Sequence, residues 1–386
     1  RFWINNGDGT FTDKIGEYGL TEKEFTQSVM FVDYNMDGLL DLFVTMEFDP
    51  HRFYKRVDMD TFQNISSTTN LDDKQSHSYG LSWADIDGDG DLDVAISTCG
   101  TSQDPADGGA LTVDRIWRNN WVEANTDTFT EVTPQYYFDN PPRNNYGNEL
   151  VDADGDGDFD LFVVGTAGYT NKFFLNTGPA GPWPEESSDL GLSVTSTSAR
   201  GVEWLDYDND GDLDCYITTG FGKDQIYQNQ LVETGEFRFV EKGEELGLTL
   251  TASGFQGSWA DVDGDGDLDL FAPTNGTDHL YINEGGNDKN WLFIELKGDT
   301  DTLSGIGATI RVRTGDHWQT RIHGGQAGSF AQNYLPTHFG LGDAEEVDEI
   351  RVKWLTGPET VITNPVAANQ RITIRQAGSG AFFKVN

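Results

Sequence analysis

Cysteine, histidine and long apolar runs are all scarce in this sequence. The two cysteines, Cys99 and Cys215, have a spacing that matches neither a disulfide framework nor a zinc site. We therefore expect two buried free thiols, with a disulfide as the alternative. The six histidines form no H-E-x-x-H or similar ligand spacing. No run reaches the roughly 20 apolar residues of a membrane span, so the sequence predicts no transmembrane segment.

Positive charge is scarce as well. The chain has 25 basic and 65 acidic residues and a formal net charge of -40. With no basic patch to meet phosphates, we expect no nucleic-acid partner; bound cations suit the charge better. Residues 1–290 hold 16 basic and 55 acidic residues, whereas residues 291–386 hold 9 and 10. This change predicts a domain boundary near residue 290.

Nearly the same acidic string occurs five times, with the pattern D-x-D/N-x-D-G-x-x-D. The last copy, for example, is "DVDGDGDLD". The starts of successive copies are 52, 67, 54 and 55 residues apart, a period typical of solenoids and propellers. We call these copies the aspartate loops: loop 1 Asp33–Asp41, loop 2 Asp85–Asp93, loop 3 Asp152–Asp160, loop 4 Asp206–Asp214 and loop 5 Asp261–Asp269.

Strand-like segments flank each aspartate loop. A run such as "LDLFVTM" follows the loop, and an aromatic stretch ending in asparagine, such as "RIWRNN", comes later in most copies. Four short strands per unit predict an all-β fold, a β-propeller of six or seven blades. Residues 1–15 match only the third and fourth strands of a blade. We expect this blade to be incomplete, with its other half upstream in a longer precursor or supplied by another segment.

The spacing of the aspartates predicts metal sites made of oxygen ligands. Side chains at positions 1, 3, 5 and 9 can converge, the backbone carbonyl of position 7 can complete the shell, and glycine at position 6 permits a left-handed turn. Position 12, where an EF-hand needs a bidentate glutamate, is apolar in every copy, which excludes that motif. Several carboxylates favour Ca²⁺ over zinc, copper or magnesium. We therefore predict about five calcium ions.

The predicted ligands are the residues at positions 1, 3, 5, 7 and 9 of the loops. They are Asp33, Asn35, Asp37, Leu39 and Asp41; Asp85, Asp87, Asp89, Asp91 and Asp93; Asp152, Asp154, Asp156, Asp158 and Asp160; Asp206, Asp208, Asp210, Asp212 and Asp214; and Asp261, Asp263, Asp265, Asp267 and Asp269. A solvated acidic turn does not explain the fixed spacing. A catalytic pair of carboxylates does not explain five near-identical copies, so we name no catalytic residue.

These loops, each with an aromatic-asparagine strand behind it, resemble the FG-GAP/VCBS repeats of integrin-α-type β-propellers. The resemblance covers roughly residues 1–290 and implies structural calcium sites at the aspartates. Beyond residue 290, runs with a period of two, such as "ATIRVRT" and "EIRVKWL", predict a small β-sandwich-like domain over residues 291–386. Its "GIGA", "HFGLG" and "VKWLTG" strings resemble the ASPIC/UnbV domain, which often follows VCBS repeats, as in the cartilage acidic protein family. That resemblance implies architecture rather than chemistry.

Three functions are compatible with the sequence. The first is a secreted or cell-surface calcium-binding protein that acts in adhesion or binding, with a glycan, a matrix component or another protein as ligand. The second is a self-assembling structural subunit of an extracellular polymer, completed by strand pairing between copies. The third is a carbohydrate-active lyase or dehydratase, which would need a convergent cluster of catalytic groups that the sequence does not reveal. We therefore predict a binding protein rather than an enzyme.

Overall fold

The protein is all-β in its computed structural model. The structure describes residues 1–21, 25–47, 49–71, 77–99, 114–136, 144–194, 199–248, 254, 256–285, 288–298, 305–324, 328, 336–376 and 382–384. Helix is limited there to three single turns, α1 Trp121–Ala124, α2 Thr133–Tyr136 and α3 Leu231–Thr234. None of the described helices has the length and apolar character needed to cross a membrane.

Five antiparallel sheets follow one another in the repeat region, and each aspartate loop joins the first strand of its sheet to the second. The first sheet is β3 Thr26–Val32, β4 Asp41–Met46, β5 Arg52–Asp58 and β6 Thr61–Asn64; the second is β7 Ser78–Ala84, β8 Asp93–Thr98, β9 Arg115–Asn119 and β10 Phe129–Glu131; the third is β11 Asn145–Val151, β12 Asp160–Gly165 and β13 Lys172–Phe174; the fourth is β14 Ala199–Leu205, β15 Asp214–Thr219, β16 Gln225–Asn229 and β17 Phe239–Glu241; the fifth is β18 Ser258–Ala260, β19 Asp269–Ala272 and β20 His279–Tyr281.

The predicted four strands per unit are present in three of these sheets. In the described residues, the third and fifth sheets have three strands each. In the third sheet, the place of a fourth strand is taken by a single bridge between Phe174 and Glu185. The preceding segment contains Pro182 and Pro184, which lack the backbone N–H that a strand ladder requires.

Hydrophobic cores lie between successive sheets. The first strands of neighbouring sheets touch: Ser28 Oγ donates to the carbonyl of Tyr79 at 2.5 Å. The tryptophan before each of loops 2, 4 and 5 fills a core. The rings of Trp83 and Phe43 have centroids 5.7 Å apart, and those of Trp204 and Phe162 are 5.6 Å apart. The sheets form a series in this way, and the described part of the chain does not show closure into a ring.

The N-terminal residues form a hairpin, β1 Trp3–Asn5 paired with β2 Phe11–Asp13. In the described residues these strands pair only with each other. Phe2 and Tyr18 hold the hairpin on the first sheet through the ring of Phe62, with centroid distances of 6.0 and 6.4 Å. The two strands that the sequence predicted are thus present, and their assignment to an incomplete blade stays a prediction.

Beyond residue 290, two four-stranded sheets share one hydrophobic core. We call them the C-terminal sheets. Within the first of them, β21 and β29 run parallel, whereas every other pair of named strands is antiparallel in the described residues. In pairing order, the first C-terminal sheet is β24 Thr337–Gly342, β21 Asn290–Lys297, β29 Gln370–Arg375 and β30 Phe382–Lys384. The second is β23 His317–His323, β22 Ala308–Thr314, β26 Glu349–Lys353 and β27 Thr360–Ile362. A separate short pair is formed by β25 Glu346–Val347 and β28 Val366–Ala367.

Candidate calcium loops

Each aspartate loop is folded by hydrogen bonds to its own backbone. In loop 4, the carboxylate of Asp206 accepts the N–H groups of Asp210 and Gly211 at 3.1 and 3.0 Å. The carboxylate at position 5 accepts the N–H of position 7 in every loop, at 2.9–3.1 Å. The glycines at position 6 all have φ between +84° and +110°, the left-handed conformation that the sequence predicted.

The aspartate at position 9 connects the loop to the third strand of its own sheet. Asp93 Oδ1 accepts the N–H of Asn119 at 2.8 Å, and its Oδ2 accepts the N–H of Ile86 at 3.0 Å. Equivalent bonds recur at Asp160, Asp214 and Asp269. These carboxylates are fully buried, so position 9 fixes the fold of the loop, and its role as a metal ligand stays a prediction.

The asparagine at the end of the aromatic strand bridges two sheets, a role that the sequence analysis missed. Asn229 Nδ2 donates to the carbonyl of Leu213 in its own loop and to that of Ala153 in the preceding loop, both at 3.2 Å. Asn119, Asn176 and Asn283 make the same pair of bonds. The recurrence of this asparagine in the repeats is the sequence signal that could have indicated its bridging role.

Carboxylates converge in loops 2, 3 and 4. Oxygens of three residues lie within 4.8 Å of one another in each of these loops, from positions 1, 3 and 9 in loop 2 and from positions 1, 3 and 5 in loops 3 and 4. The groups are Asp85, Asp87 and Asp93; Asp152, Asp154 and Asp156; and Asp206, Asp208 and Asp210. In loop 1, Asp33 accepts the N–H groups of Asp37 and Gly38. In loop 5, Asp261 accepts the N–H group of Gly264.

Two glutamates outside the predicted set approach the loops. Glu123 lies with Asp87 and Asp89, and Glu233 lies with Asp210 and Asp212. Both stand on the single-turn helices α1 and α3, which follow the bridging asparagines. Sequence reasoning missed them because the repeats after loops 1, 3 and 5 have no such helix among the described residues.

Position 7 behaves differently from the other predicted positions. The carboxylate of Asp91 accepts the N–H of Val122 at 2.8 Å, and that of Asp212 accepts the N–H of Val232 at 2.9 Å. These side chains therefore hold α1 and α3 in place. This arrangement is compatible with the prediction that position 7 offers its backbone carbonyl to the metal.

Burial works against ionisation of these carboxylates. It raises the pKa of Asp33 to about 7 and that of Asp41 to about 9. Burial also raises the pKa of Asp210 to about 10, with the neighbouring Asp206 and Asp208 adding to the effect. A bound cation reverses both causes, because it replaces lost hydration and cancels the repulsion between like charges.

The donor set fits calcium. Several buried carboxylate oxygens have no hydrogen-bond partner in the described residues, among them Asp85 Oδ1 and Asp89 Oδ2 in loop 2, and Asp208 Oδ1 and Asp210 Oδ2 in loop 4. Leaving such oxygens without a partner costs free energy. Hard carboxylate oxygens that converge within 4.8 Å are the ligands that Ca²⁺ prefers.

The C-terminal sheets lie against the aspartate loops. Lys353 Nζ binds Asp85 Oδ2 of loop 2, and Arg371 Nη2 binds Asp261 Oδ2 of loop 5, both at 2.7 Å. In loop 4, Asp206 accepts the N–H of Gly340 at 3.1 Å. The first aspartate of three loops is thus held from outside the repeats, which the sequence analysis did not anticipate.

Comparison with known families identifies both parts of the chain. The model of the FG-GAP-like repeat matches residues 1–44, 152–217 and 206–272, and the model named ASPIC and UnbV matches residues 298–381. The chain combines FG-GAP-like repeats with an ASPIC and UnbV domain. The predicted resemblance is therefore confirmed, and loops 1, 3, 4 and 5 lie within the matched segments.

A curated relative is similar to a large part of this FG-GAP-like chain. Cartilage acidic protein 1 of Mus musculus is 24% identical over 255 residues, which is 63% of this chain and 38% of the relative. The chain thus spans well under half the length of that protein. The activity and partners of the whole relative are therefore not attributed to this chain.

Solved structures resemble the chain more distantly. A lectin of Agrocybe aegerita, described as recognising non-reducing terminal N-acetylglucosamine, has a TM-score of 0.46 at 18% identity and covers 74% of this chain and 71% of its own. The biofilm matrix protein Bap1 of V. cholerae has a TM-score of 0.34 at 12% identity, with coverage of 90% and 60%. At these TM-scores, neither likeness bears on the function of this chain.

Proposed function

We propose that the protein is a secreted, calcium-stabilised binding or adhesion protein. In this proposal residues 1–290 form a β-propeller-type body of six or seven blades and residues 291–386 a separate β-sandwich-like domain. The observation that carries it is the fivefold repetition of buried carboxylate loops, which suits a rigid scaffold and does not resemble a single active site. The FG-GAP-like repeats and the relationship to cartilage acidic protein 1 support a binding role.

Calcium is assigned to the side-chain oxygens at positions 1, 3, 5 and 9, which are carboxylates except for the amide of Asn35, with the backbone of position 7 completing each site. Glu123 and Glu233 are additional candidate ligands at loops 2 and 4. A bound ion would neutralise the repulsion within each loop and hold the first and second strands of its sheet together. The proposed role of calcium is therefore structural, with about five ions per chain.

The test of this function is a ligand screen with the intact protein. Arrays of acidic and neutral polysaccharides, and of extracellular matrix proteins, would be probed in calcium and again after chelation. We expect at least one ligand class to be retained in calcium and to be lost with EGTA, because the binding surface depends on the folded loops. Equal binding with and without calcium, or no binding to any array member, would contradict the proposal.

Self-association is a second candidate, favoured by apolar surface at the two ends of the series of sheets. A groove of about 380 Å³ on the first sheet is lined by Phe2, Val29 and Met46, among others. On the fifth sheet, Phe271 and Leu280 are 44% and 51% exposed. Light scattering tests this candidate: copies that pair through these faces would form dimers or polymers, and a monomer at high concentration would exclude it.

A further inference from the structure

A charged cleft separates aspartate loops 2 and 3 from the second C-terminal sheet. Its volume is about 230 Å³, and its walls include Asp87 and Asp158 on the loop side and Arg311, Arg351 and Lys353 on the other. We call this space the arginine cleft. It is smaller than the pockets that enclose drug-sized ligands and suits one charged group with part of the unit that carries it.

Strand register concentrates positive charge in the arginine cleft. Arg311 of β22 pairs directly with Arg351 of β26, and Lys353 lies opposite Thr309 on the same ladder. Like charges directly opposite each other destabilise a sheet. The nearby indole of Trp318 lies 4.9 Å from the Arg311 guanidinium and 5.3 Å from that of Arg351, which offsets part of that repulsion. An anion bound between the two guanidinium groups would cancel the remaining repulsion between them.

Hydrogen-bond donors in the arginine cleft remain available. Arg351 donates its Nε–H to the carboxylate of Glu349 at 2.6 Å. Its two Nη groups make no hydrogen bond with a described residue. Arg311 Nε is buried without a hydrogen-bond partner in the described part of the chain, a costly state for a charged donor. A carboxylate or sulfate accepts two parallel N–H bonds from such a fork.

Loop 3 leaves room for the Arg311 side chain. Gly157 stands at position 6 of that loop, and a Cβ atom placed there would lie 3.4 Å from Arg311 Nη2. Across the cleft, the carboxylate of Asp158, a position that offers only its backbone to calcium in our proposal, can accept hydroxyl donors. The walls therefore fit a ligand that presents an oxyanion beside O–H groups.

We propose that the arginine cleft binds the carboxylate or sulfate group of an acidic sugar. Arg311 and Arg351 hold the oxyanion, and the acidic wall accepts the sugar's neighbouring hydroxyl groups. This inference rests on the proposed binding function and narrows its ligand to an acidic carbohydrate. Arg311 and Arg351 lie within the segment that matches the ASPIC and UnbV model, and the cleft forms where the C-terminal sheets meet loops 2 and 3.

Calorimetric titration of the full chain in calcium tests the proposal, with sodium glucuronate, glucose 6-sulfate and neutral glucose as probes. We expect glucuronate, glucose 6-sulfate or both to bind and glucose not to bind. Binding of one anion alone identifies a carboxylate or a sulfate as the recognised group. Arg311→Gln and Arg351→Gln should each weaken binding about tenfold or more, since each removes a charge-assisted contact.

Arg238→Gln is the matched control, because Arg238 is a half-exposed arginine whose ion-pair partner is Glu236, outside the cleft. It should leave the affinity unchanged. Thermal melting shows whether each variant is folded, and Arg351→Gln keeps the test valid if loss of the Arg311–Trp318 contact impairs folding. Failure of both anions to bind, equal binding of glucose, or unchanged affinity in a folded arginine variant would overturn the inference.

The polysaccharide array separates this inference from the proposed function. If an array ligand binds both glutamine variants as tightly as the wild type, the arginine cleft is not its binding site, and the proposed binding function still stands. The opposite result is that glucuronate binding depends on Arg311 while the array retains no ligand. That result would support the cleft as an acidic-sugar site and contradict the proposed adhesion function.

Discussion

Single asparagines join the sheets of this protein, and Asn229 shows how. Its side-chain amide donates to the carbonyls of Ala153 and Leu213, and its Oδ1 accepts the N–H of Leu231 at 3.2 Å. The residue is fully buried. A buried amide that satisfies three backbone groups fixes the spacing between two aspartate loops more firmly than apolar contact can, because hydrogen bonds are directional.

Replacing Asn229 with alanine should therefore destabilise the fold by about 2–4 kcal/mol, since two buried carbonyls lose their donor and one N–H loses its acceptor. Denaturant unfolding in calcium measures the change. Asn6→Ala is the control, because Asn6 is exposed and bonds only to Thr10 and Thr12 side chains and to the Thr10 carbonyl. An equal, small effect of both substitutions would show that the bridge contributes little.

The buried aspartates also predict an unusual pH dependence. Without metal, burial raises the pKa of Asp33, Asp91 and Asp212 to about 7 in each case, above the value of about 3.9 expected in the unfolded chain. The folded state then binds more protons between these values, so stability increases as the pH falls. In EGTA, the melting temperature should rise from about pH 8 to about pH 5.

The same scan in calcium is the control for that experiment. Protons compete with the metal for the carboxylates, so the gain at low pH should shrink or reverse once calcium is present. A melting temperature in EGTA that falls steadily as the pH decreases would mean that the loops are stabilised in their ionised form without a cation.

At the scale of elements, the turn of loop 5 determines how closely β21 of the C-terminal sheets approaches. Gly264 and Gly266 of loop 5 have φ values of +87° and +105°. A Cβ at Gly264 would meet nothing within 4 Å, whereas a Cβ at Gly266 would lie 1.8 Å from the indole nitrogen of Trp291 on β21. Both glycines serve the turn, but only Gly266 also serves the packing of β21.

This difference provides a matched pair of substitutions. Gly264→Ala and Gly266→Ala both place an L-residue in a left-handed conformation, at a cost of about 1–2 kcal/mol. Gly266→Ala should cost about 1–3 kcal/mol more, because Trp291 must move. Thermal unfolding in calcium compares the two variants. If they melt at the same temperature, β21 does not rest on loop 5 in solution.

For the whole molecule, calcium is the principal determinant of stability in our proposal. Five filled loops would change the formal charge from -40 to -30, which reduces repulsion across the acidic repeats. We expect a higher melting temperature in calcium than in EGTA, since a ligand that binds only the folded state stabilises it. Magnesium at the same concentration is the control and should stabilise less. Equal melting temperatures in calcium and EGTA would refute the assignment of the loops.

The contact between the C-terminal sheets and the aspartate loops should also depend on Lys353 and Arg371. A Lys353→Gln/Arg371→Gln double variant removes both 2.7 Å ion pairs. Backbone hydrogen exchange should then increase in β26 and β29 and in loops 2 and 5, because the two surfaces lose their charged contacts. Lys242→Gln, which removes an ion pair to Glu245 in the turn after β17, should leave these segments protected.

The sequence by itself determined the all-β fold, the five loops and their left-handed glycines, because a fixed carboxylate spacing with glycine at position 6 allows few conformations. It also marked the recurring asparagine without explaining it. Only the tertiary structure decided that this asparagine joins two loops, that Glu123 and Glu233 approach loops 2 and 4, and that Lys353 and Arg371 bind loops 2 and 5. Lys353 and Asp85 are 268 positions apart, and no local pattern encodes such a pair. Long-range packing created the arginine cleft in the same way, by bringing a neutral C-terminal region onto an acidic one.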